Sequence, residues 1–273
     1  MVCAFRGWND AAAAASTALA AIGNSLDAEV VASIDPEDYF DFQSTRPTIT
    51  MAAGATRRIE WPENNFIAVR VPNAERDLVL LDGTEPNLRW RTFSEHVATA
   101  ADALEVELVI TLGSLIAEVS HTLPVPITGL ASSPELVDEL DLERSNYEGP
   151  TGIVGVVHDL CRQTGIDSAS LWAAVPHYVA AVPNPKAALA LLRRLEGLTG
   201  IAVDATDLEE ETASYEEQIG RAVAANPEIA ELVERIEAEQ AEQLGEEGED
   251  LPSADTIARE FQQFLQQRRG ESN

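Results

Sequence analysis

YEGPTGIVGVVHDLCRQTGIDSASLWAAVPHY, residues 147–178, is the stretch of sequence that decides the fold. Its Gly149-Pro150 pair predicts a helix start, because the first helical turn has no partner for the N–H group that proline lacks. Apolar residues then recur at helical spacing until a glycine ends the helix. These positions are Ile153, Val156, Val157, Leu160 and Gly165.

A short apolar run follows this helix. Ala169–Val175 is flanked by chain-breaking residues, so it is predicted to be a buried strand. Pro176-His177-Tyr178 then lies just past the carboxyl end of that strand, and Asn184-Pro185-Lys186 opens another apolar run. Ligands of open α/β sheets bind at that edge, so we expect a site there.

The rest of the chain repeats this pattern. Short apolar runs alternate with helical patterns through residues 1–203, which predicts a three-layer α/β domain with a mostly parallel central sheet. Residues 47–61 interrupt the alternation, because two strand-like runs bracket a glycine-containing turn. We therefore expect a β-hairpin insertion there. A lone hairpin is marginal in water, so its apolar side chains, Ile49, Met51, Ile59 and Trp61, should be covered in a homo-oligomer.

The C-terminal quarter has a different composition. Residues 204–273 hold 20 acidic residues and 5 arginines, and they carry three amphipathic patterns that predict helices. We expect this segment to form an acidic helical cap, or a lid over the carboxyl edge of the sheet. The lid hypothesis places Phe261 and Phe264 in a buried position.

Charge limits the classes of partner. Lys and Arg total 18 against 47 Asp and Glu, a net charge of −29. Nucleic acid and anionic membranes require clustered cations, which the sequence lacks, so neither is expected as a partner. Two cysteines without metal-ligand spacing favour reduced thiols and a cytoplasmic location. No apolar run reaches the length of a membrane span, and no secretory leader is predicted.

Four loops should meet at the carboxyl edge of the sheet. Together with the helix that starts near Thr151, they bring carboxylates, imidazoles, a guanidinium and aromatic rings to one place, which is typical of a small-molecule pocket. The candidate pocket residues are Trp8, Asp10, Glu85, Arg89, His121, Thr151, His177 and Tyr178.

Several of these residues have a structural alternative. Asp10 can cap the following helix rather than act as a base. Glu85 and Arg89 stand four residues apart and can pair with each other. His121 and His177 suit structural hydrogen bonding as well as ligand contact. His158 reads as an ordinary helix residue.

Motifs of known catalysts are missing. The sequence has no G-x-S-x-G, no H-E-x-x-H and no complete G-x-G-x-x-G after a strand. Its four histidines are scattered, so no metal site is expected and no cofactor is predicted. Catalytic residues cannot be assigned from these patterns, and whether the chain is an enzyme stays open.

Six short motifs resemble one known family. They occur in order from residue 5 to about residue 200: Gly7-Trp8-Asn9-Asp10, Phe42-Gln43 with Arg46-Pro47, Gly83-Thr84-Glu85-Pro86 with Arg89-Trp90, Gly149-Pro150-Thr151-Gly152-Ile153, Pro176-His177-Tyr178 and Asn184-Pro185. The set resembles the proteasome assembly chaperone 2 family, in its bacterial branch of uncharacterised members.

The resemblance implies a phosphorylase/hydrolase-like α/β fold, a homo-oligomer (a trimer rather than a dimer) and proteasome subunits as partners. Chaperones of this kind use a C-terminal hydrophobic–Tyr–any tail, whereas this chain ends Gly270-Glu271-Ser272-Asn273. The first functional hypothesis is thus a non-enzymatic assembly or interaction protein. The alternative is a ligand-binding protein or an enzyme of the phosphorylase or hydrolase type, acting on a small molecule in the sheet-edge pocket.

Overall fold

A computed structural model of the chain describes residues 1–52, 56–72, 74–140, 142 and 147–249. Its strands are β1 (Val2–Arg6), β2 (Asp27–Ser33), β3 (Thr48–Ala52), β4 (Thr56–Glu60), β5 (Asn65–Arg70), β6 (Leu78–Thr84), β7 (Leu108–Ala117), β8 (Ile127–Ala131) and β9 (Asp167–Pro176). Its helices are α1 (Ala14–Ser25), α2 (Trp90–Ala103), α3 (Pro134–Glu139), α4 (Ile153–Thr164), α5 (Pro185–Thr199), α6 (Thr206–Ala224) and α7 (Pro227–Glu249).

Seven strands form one sheet in the order β2-β5-β6-β1-β7-β9-β8. The four central strands, β6, β1, β7 and β9, are parallel. The strand predicted at Ala169–Val175 lies in β9, which pairs with β7 from Leu108 opposite Asp167 to Ala117 opposite Pro176. The predicted α/β class with a mostly parallel central sheet is therefore confirmed.

The outer strands run antiparallel to their neighbours. β2 and β5 form one antiparallel pair, β5 and β6 a second, and β8 and β9 a third. Only residues 71–77 join β5 to β6. A parallel connection needs a dozen or more residues, so this link can make only an antiparallel pair.

Helices cover both faces of the sheet. Alternate residues of β1 point to opposite faces, as the strand period requires. Val2 and Ala4 belong to the core formed with α1 and α5. Cys3 and Phe5 belong to the core formed with α2 and α4. This arrangement gives the three layers that the sequence predicted.

The predicted hairpin forms a two-stranded sheet of its own, β3 with β4. Ile49 pairs with Ile59 across the strands, so these two side chains share one face. The four apolar side chains of the hairpin, Ile49, Met51, Ile59 and Trp61, have exposed fractions between 44% and 68%. The ring of Trp61 contacts that of Phe42, with 4.8 Å between ring centroids, and this contact fixes the base of the hairpin.

The chain divides into two compact units, Met1–Ala225 and Asn226–Asn273. Helix α6 belongs to the first unit and packs on α5, whereas the sequence-based division at 203/204 grouped it with the C-terminal helices. Phe261 and Phe264 lie outside the described residues, so the lid remains a prediction. Within the described ranges, no helix has the length and apolar character that crossing a membrane requires.

Candidate functional site

The carboxyl ends of the parallel strands carry most of the candidate residues. The loop after β1 begins at Gly7, the loop after β6 at Glu85, and the turn after β9 at His177. Because these strands are parallel, all three connections lie at the same edge of the sheet. The side chains nevertheless separate into distinct groups there.

Glu85 ties three elements together. Its Oε1 atom accepts hydrogen bonds from Asn9 Nδ2 and from the backbone N–H of Ile153, each at 2.9 Å. Its Oε2 atom accepts a longer bond of 3.3 Å from the N–H of Trp8. The carboxylate therefore binds the loop after β1 to the start of α4. A side chain on Gly152 would not fit, because a Cβ there would lie 2.6 Å from Oε1.

Asp10 holds the entrance of α1. Its carboxylate accepts from the N–H groups of Ala15 and Ser16 at 2.9 and 3.1 Å, and from the Ser16 hydroxyl at 2.6 Å. Burial raises the pKa of Asp10, and the bonds from Ser16 and Ala15 act in the opposite direction. The structure thus places Asp10 in the capping role rather than at a free catalytic position.

Arg89 points away from Glu85. Its Nη1 atom lies 2.8 Å from Oδ1 of Asp38, in the turn after β2. Arg89 itself stands directly before α2 and has a left-handed φ of 54°. The suggested pair between Glu85 and Arg89 is therefore wrong, since each has a different partner.

His121 and Tyr178 form a separate group. The Tyr178 hydroxyl accepts from the N–H of His121 and lies 2.8 Å from its Nδ1 atom. Lys186 donates to the carbonyl oxygen of His121 at 2.7 Å and forms an ion pair with Glu216 of α6, also at 2.7 Å. The network fastens α6 and the start of α5 to the loop after β7, so it is structural in character.

Tyr215 lies near this network. Burial raises its pKa to about 12, and the neighbouring Tyr178 adds to the shift. Its hydroxyl is buried and has no hydrogen-bond partner among the described residues. A buried unpaired hydroxyl costs free energy, because it has lost water without gaining a partner.

A cavity of about 650 Å³ lies beside Glu85, between α4 and the sheet. The loop after β1 and the end of β7 line its mouth with Gly7, Trp8, Ala11, Ser114, Leu115 and Ile116. Ser170 and Trp172 of β9 form its floor, and Thr128 and Leu130 of β8 form its rim. The start of α4 and the segment before it supply Tyr147, Pro150, Thr151, Gly155 and His158.

Trp172 is held rigidly on the cavity floor. Its ring lies over the backbone of Gly113 so closely that a Cβ there would approach Cε3 to 2.6 Å. Its Nε1 atom donates to the Ser170 hydroxyl at 2.8 Å, and Thr111 donates to the same oxygen at 3.0 Å. The indole plane is therefore fixed before any ligand arrives.

His158 faces the cavity from α4. Its Nδ1 atom lies 3.1 Å from the hydroxyl of Ser168, a buried residue of β9. Burial lowers the pKa of His158, and the nearby Arg162 lowers it further. The imidazole is therefore neutral near pH 7, and the bond to Ser168 fixes the ring orientation.

The cavity and the predicted pocket coincide only in part. Of the eight candidate residues, Trp8 and Thr151 line the cavity. Glu85 accepts a hydrogen bond from the N–H of Ile153 at the start of α4, the helix that forms one wall. Three lining residues, Ser170, Trp172 and His158, were not among the residues predicted from the sequence. The period of two in β9 places Ser168, Ser170 and Trp172 on one face, which is the signal that could have revealed this floor.

Across the described part of the chain, no three His, Cys, Asp or Glu side chains form a group able to hold a metal ion. The cavity is lined by hydroxyls, an imidazole and aromatic rings.

The fold and this cavity define a three-layer α/β protein with an exposed hairpin. The sequence profile of the PAC2 family matches residues 4–223, and the chain belongs to that family, as its motifs predicted.

Solved structures agree with this assignment. A PAC2 family protein from Streptomyces avermitilis is 46% identical, with a TM-score of 0.80, and the match covers 85% of this chain and 98% of that one. A proteasome-assembly chaperone homologue from Mycobacterium tuberculosis is 44% identical, with a TM-score of 0.78 and the same coverage. An archaeal proteasome activator from Pyrococcus furiosus shares the fold at 16% identity, with a TM-score of 0.66 and coverage of 81% and 92%. Among curated proteins no significant match is found.

Proposed function

We propose that this chain is a non-enzymatic assembly or interaction protein, which forms a homo-oligomer through its hairpin and engages proteasome subunits. The observation that carries the proposal is the exposed apolar face of the hairpin. An exposed cluster of large apolar side chains on a monomer marks an interaction surface. A two-stranded ribbon also needs support from a neighbour to be stable.

The two faces of the hairpin differ sharply. Cross-strand pairing places Ile49 and Ile59 together on one face. The opposite face is polar, and there Thr50 donates a hydrogen bond to Glu60 at 2.8 Å. Only one face is therefore suited to burial in a protein interface.

The partners are inferred from relatives. A protein 44% identical to this chain is described as a proteasome-assembly chaperone homologue, which supports proteasome subunits as the second partner. A trimer is the assembly that we favour. The two free cysteines are buried, which suits a reducing cytoplasm.

Light scattering coupled to size exclusion tests the self-assembly. Ile49→Lys places a charge on the apolar face, and the matched variant Thr48→Lys places the same charge on the opposite face one residue away. We expect the wild type and Thr48→Lys to be trimeric at micromolar concentration and Ile49→Lys to be a folded monomer. A monomeric wild type contradicts the proposal.

A pull-down with purified proteasome α-subunits tests the second partner. The full chain should retain the subunits, and a variant lacking residues 254–273 shows whether the C-terminal segment takes part. Absence of binding by the full chain removes the proteasome from the proposal and leaves self-assembly intact.

Binding of a small molecule is the second candidate function. The cavity favours it, because 650 Å³ falls in the range of ligand pockets and its floor is pre-formed. The enzyme alternative has less support, because Asp10, the carboxylate that the sequence offered as a base, is engaged in three hydrogen bonds.

A further inference from the structure

We propose that the cavity binds an uncharged, flat heteroaromatic molecule that offers a ring carbonyl or ring nitrogen to the hydroxyl of Ser170. This inference deepens the second candidate function and is independent of the assembly role. It names the class of ligand from the groups that line the cavity.

The cavity lining limits the charge of the ligand. The lining residues include no Asp, Glu, Lys or Arg among the described part of the chain. Burial lowers the pKa of His158, so its imidazole is neutral near pH 7. A charged ligand would lose its water beside these residues without gaining an opposite charge, which is costly. The described walls therefore favour neutral molecules.

The ring of Trp172 limits the shape of the ligand. The indole of Trp172 cannot tilt, because Gly113 lies beneath it and Ser170 holds its Nε1 atom. Rigid aromatic faces favour flat aromatic partners, which stack in an offset or edge-on manner. Two further rings, those of Trp8 and Tyr147, stand at the mouth of the cavity and are 63% and 66% exposed. The exposed ring of Trp8 is able to cover a bound ring, whereas the Tyr147 hydroxyl donates a hydrogen bond to the carbonyl oxygen of Pro150 at 3.0 Å, which holds that ring at the mouth.

The cavity floor offers a hydrogen bond to the ligand. A serine hydroxyl has two acceptor sites and one donor. In Ser170 both acceptor sites are used, by Thr111 and by Trp172. Its O–H hydrogen has no acceptor among the described residues, although Ser170 is only 2% exposed and lines the cavity. The buried O–H group of Ser170 on the cavity floor therefore favours a ligand that carries a hydrogen-bond acceptor.

His158 offers the ligand a second polar contact. The Nδ1 atom of His158 is engaged with Ser168, and Nε2 has no partner within the described ranges. The Nε2 atom donates or accepts according to the ring tautomer. A heterocycle with neighbouring acceptor and N–H groups, such as a lactam, can therefore satisfy Ser170 and His158 together.

Calorimetric titration of the full-length protein tests the ligand class. The probe is carbostyril, a neutral bicyclic lactam. Naphthalene has a similar shape without an acceptor, and quinaldate carries a carboxylate. We expect carbostyril to bind more tightly than either of the others. Equal affinity for naphthalene, or higher affinity for quinaldate, overturns the proposed class while small-molecule binding survives.

Variants locate the bound probe. Thr128→Phe fills the cavity from its exposed rim, and Thr99→Phe makes the same change at an exposed position of α2. We expect the rim variant to abolish carbostyril binding and the control to retain it. Ser170→Ala removes the donor and should weaken binding about threefold to tenfold, the worth of one hydrogen bond. Undiminished binding by Thr128→Phe overturns the site, and failure of all three probes to bind wild type overturns the second candidate function itself.

Discussion

Removal of the Glu85 carboxylate should loosen the junction between the loop after β1 and helix α4. The carboxylate makes two short hydrogen bonds, to Asn9 Nδ2 and the N–H of Ile153, and one longer bond to Trp8. Asn9 is 1% exposed and Ile153 is fully buried, so water cannot easily replace the lost acceptor.

The magnitude follows from these bonds. A hydrogen bond to a charged acceptor contributes about 1.5–3 kcal/mol, so the loss of two such bonds in Glu85→Ala should lower the free energy of unfolding by about 3–6 kcal/mol. Glu85→Gln keeps an oxygen toward Asn9 and Ile153 but loses the charge, which about halves the strength of each bond. We therefore expect the Gln variant to lower the free energy of unfolding by about half as much, about 1.5–3 kcal/mol.

Urea unfolding followed by circular dichroism measures these differences, and hydrogen exchange at the amide of Ile153 reports the local effect. Glu95→Ala is the control, because the side chain of Glu95 is exposed on α2 and makes no hydrogen bond within the described part of the chain. If Glu85→Ala unfolds within about 0.5 kcal/mol of this control, the scale of ordinary surface substitutions, the junction does not depend on Glu85.

Three further predictions concern other buried groups. Tyr215→Phe should stabilise the fold by about 1 kcal/mol, because it removes an unpaired buried hydroxyl, whereas Tyr178→Phe should destabilise it by a similar amount; a loss of stability in Tyr215→Phe during thermal unfolding would contradict this account. The lowered pKa of His158 means that the unfolded chain binds more protons just below the ordinary value of 6.5, so stability should fall as the pH drops through that region. His158→Phe should show a smaller fall between about pH 7.5 and about pH 5.5 in paired denaturant titrations, and equal slopes would refute the assignment. Burial raises the pKa of Cys161 to about 11, so its thiol should react with a disulfide reagent only after urea unfolds the chain; rapid labelling of the native protein would show that the thiol is accessible.

Local patterns predicted the elements that depend on near neighbours in the chain. The helix that the sequence began after Gly149-Pro150 and ended at Gly165 is α4, whose C-terminal residue is followed by Gly165 with φ of 77°. The strand that follows it is β9, and the interrupted alternation at residues 47–61 is the hairpin. Helical period, strand period and glycine conformation act over a few residues, so one sequence is enough to read them.

The candidate site was predicted less completely. The sequence identified the correct edge of the sheet, because the ends of parallel strands coincide. It grouped eight side chains there, and the structure distributes six of them among a cavity, a helix cap, a surface ion pair and a structural network. Of the other two, Glu85 joins the loop after β1 to α4, and the ring of His177 contacts that of Tyr178. His158, which the pattern presented as an ordinary helix residue, lines the cavity.

The sequence by itself determined which segments are helices and strands, their order, and the hairpin with its apolar face. Only the tertiary structure decided the partners of each polar side chain. Glu85 meets Ile153 across 68 positions of the chain, and Arg89 meets Asp38 across 51. Such pairs depend on strand order and on the direction in which each loop leaves the sheet, and neither is encoded within a short window of residues.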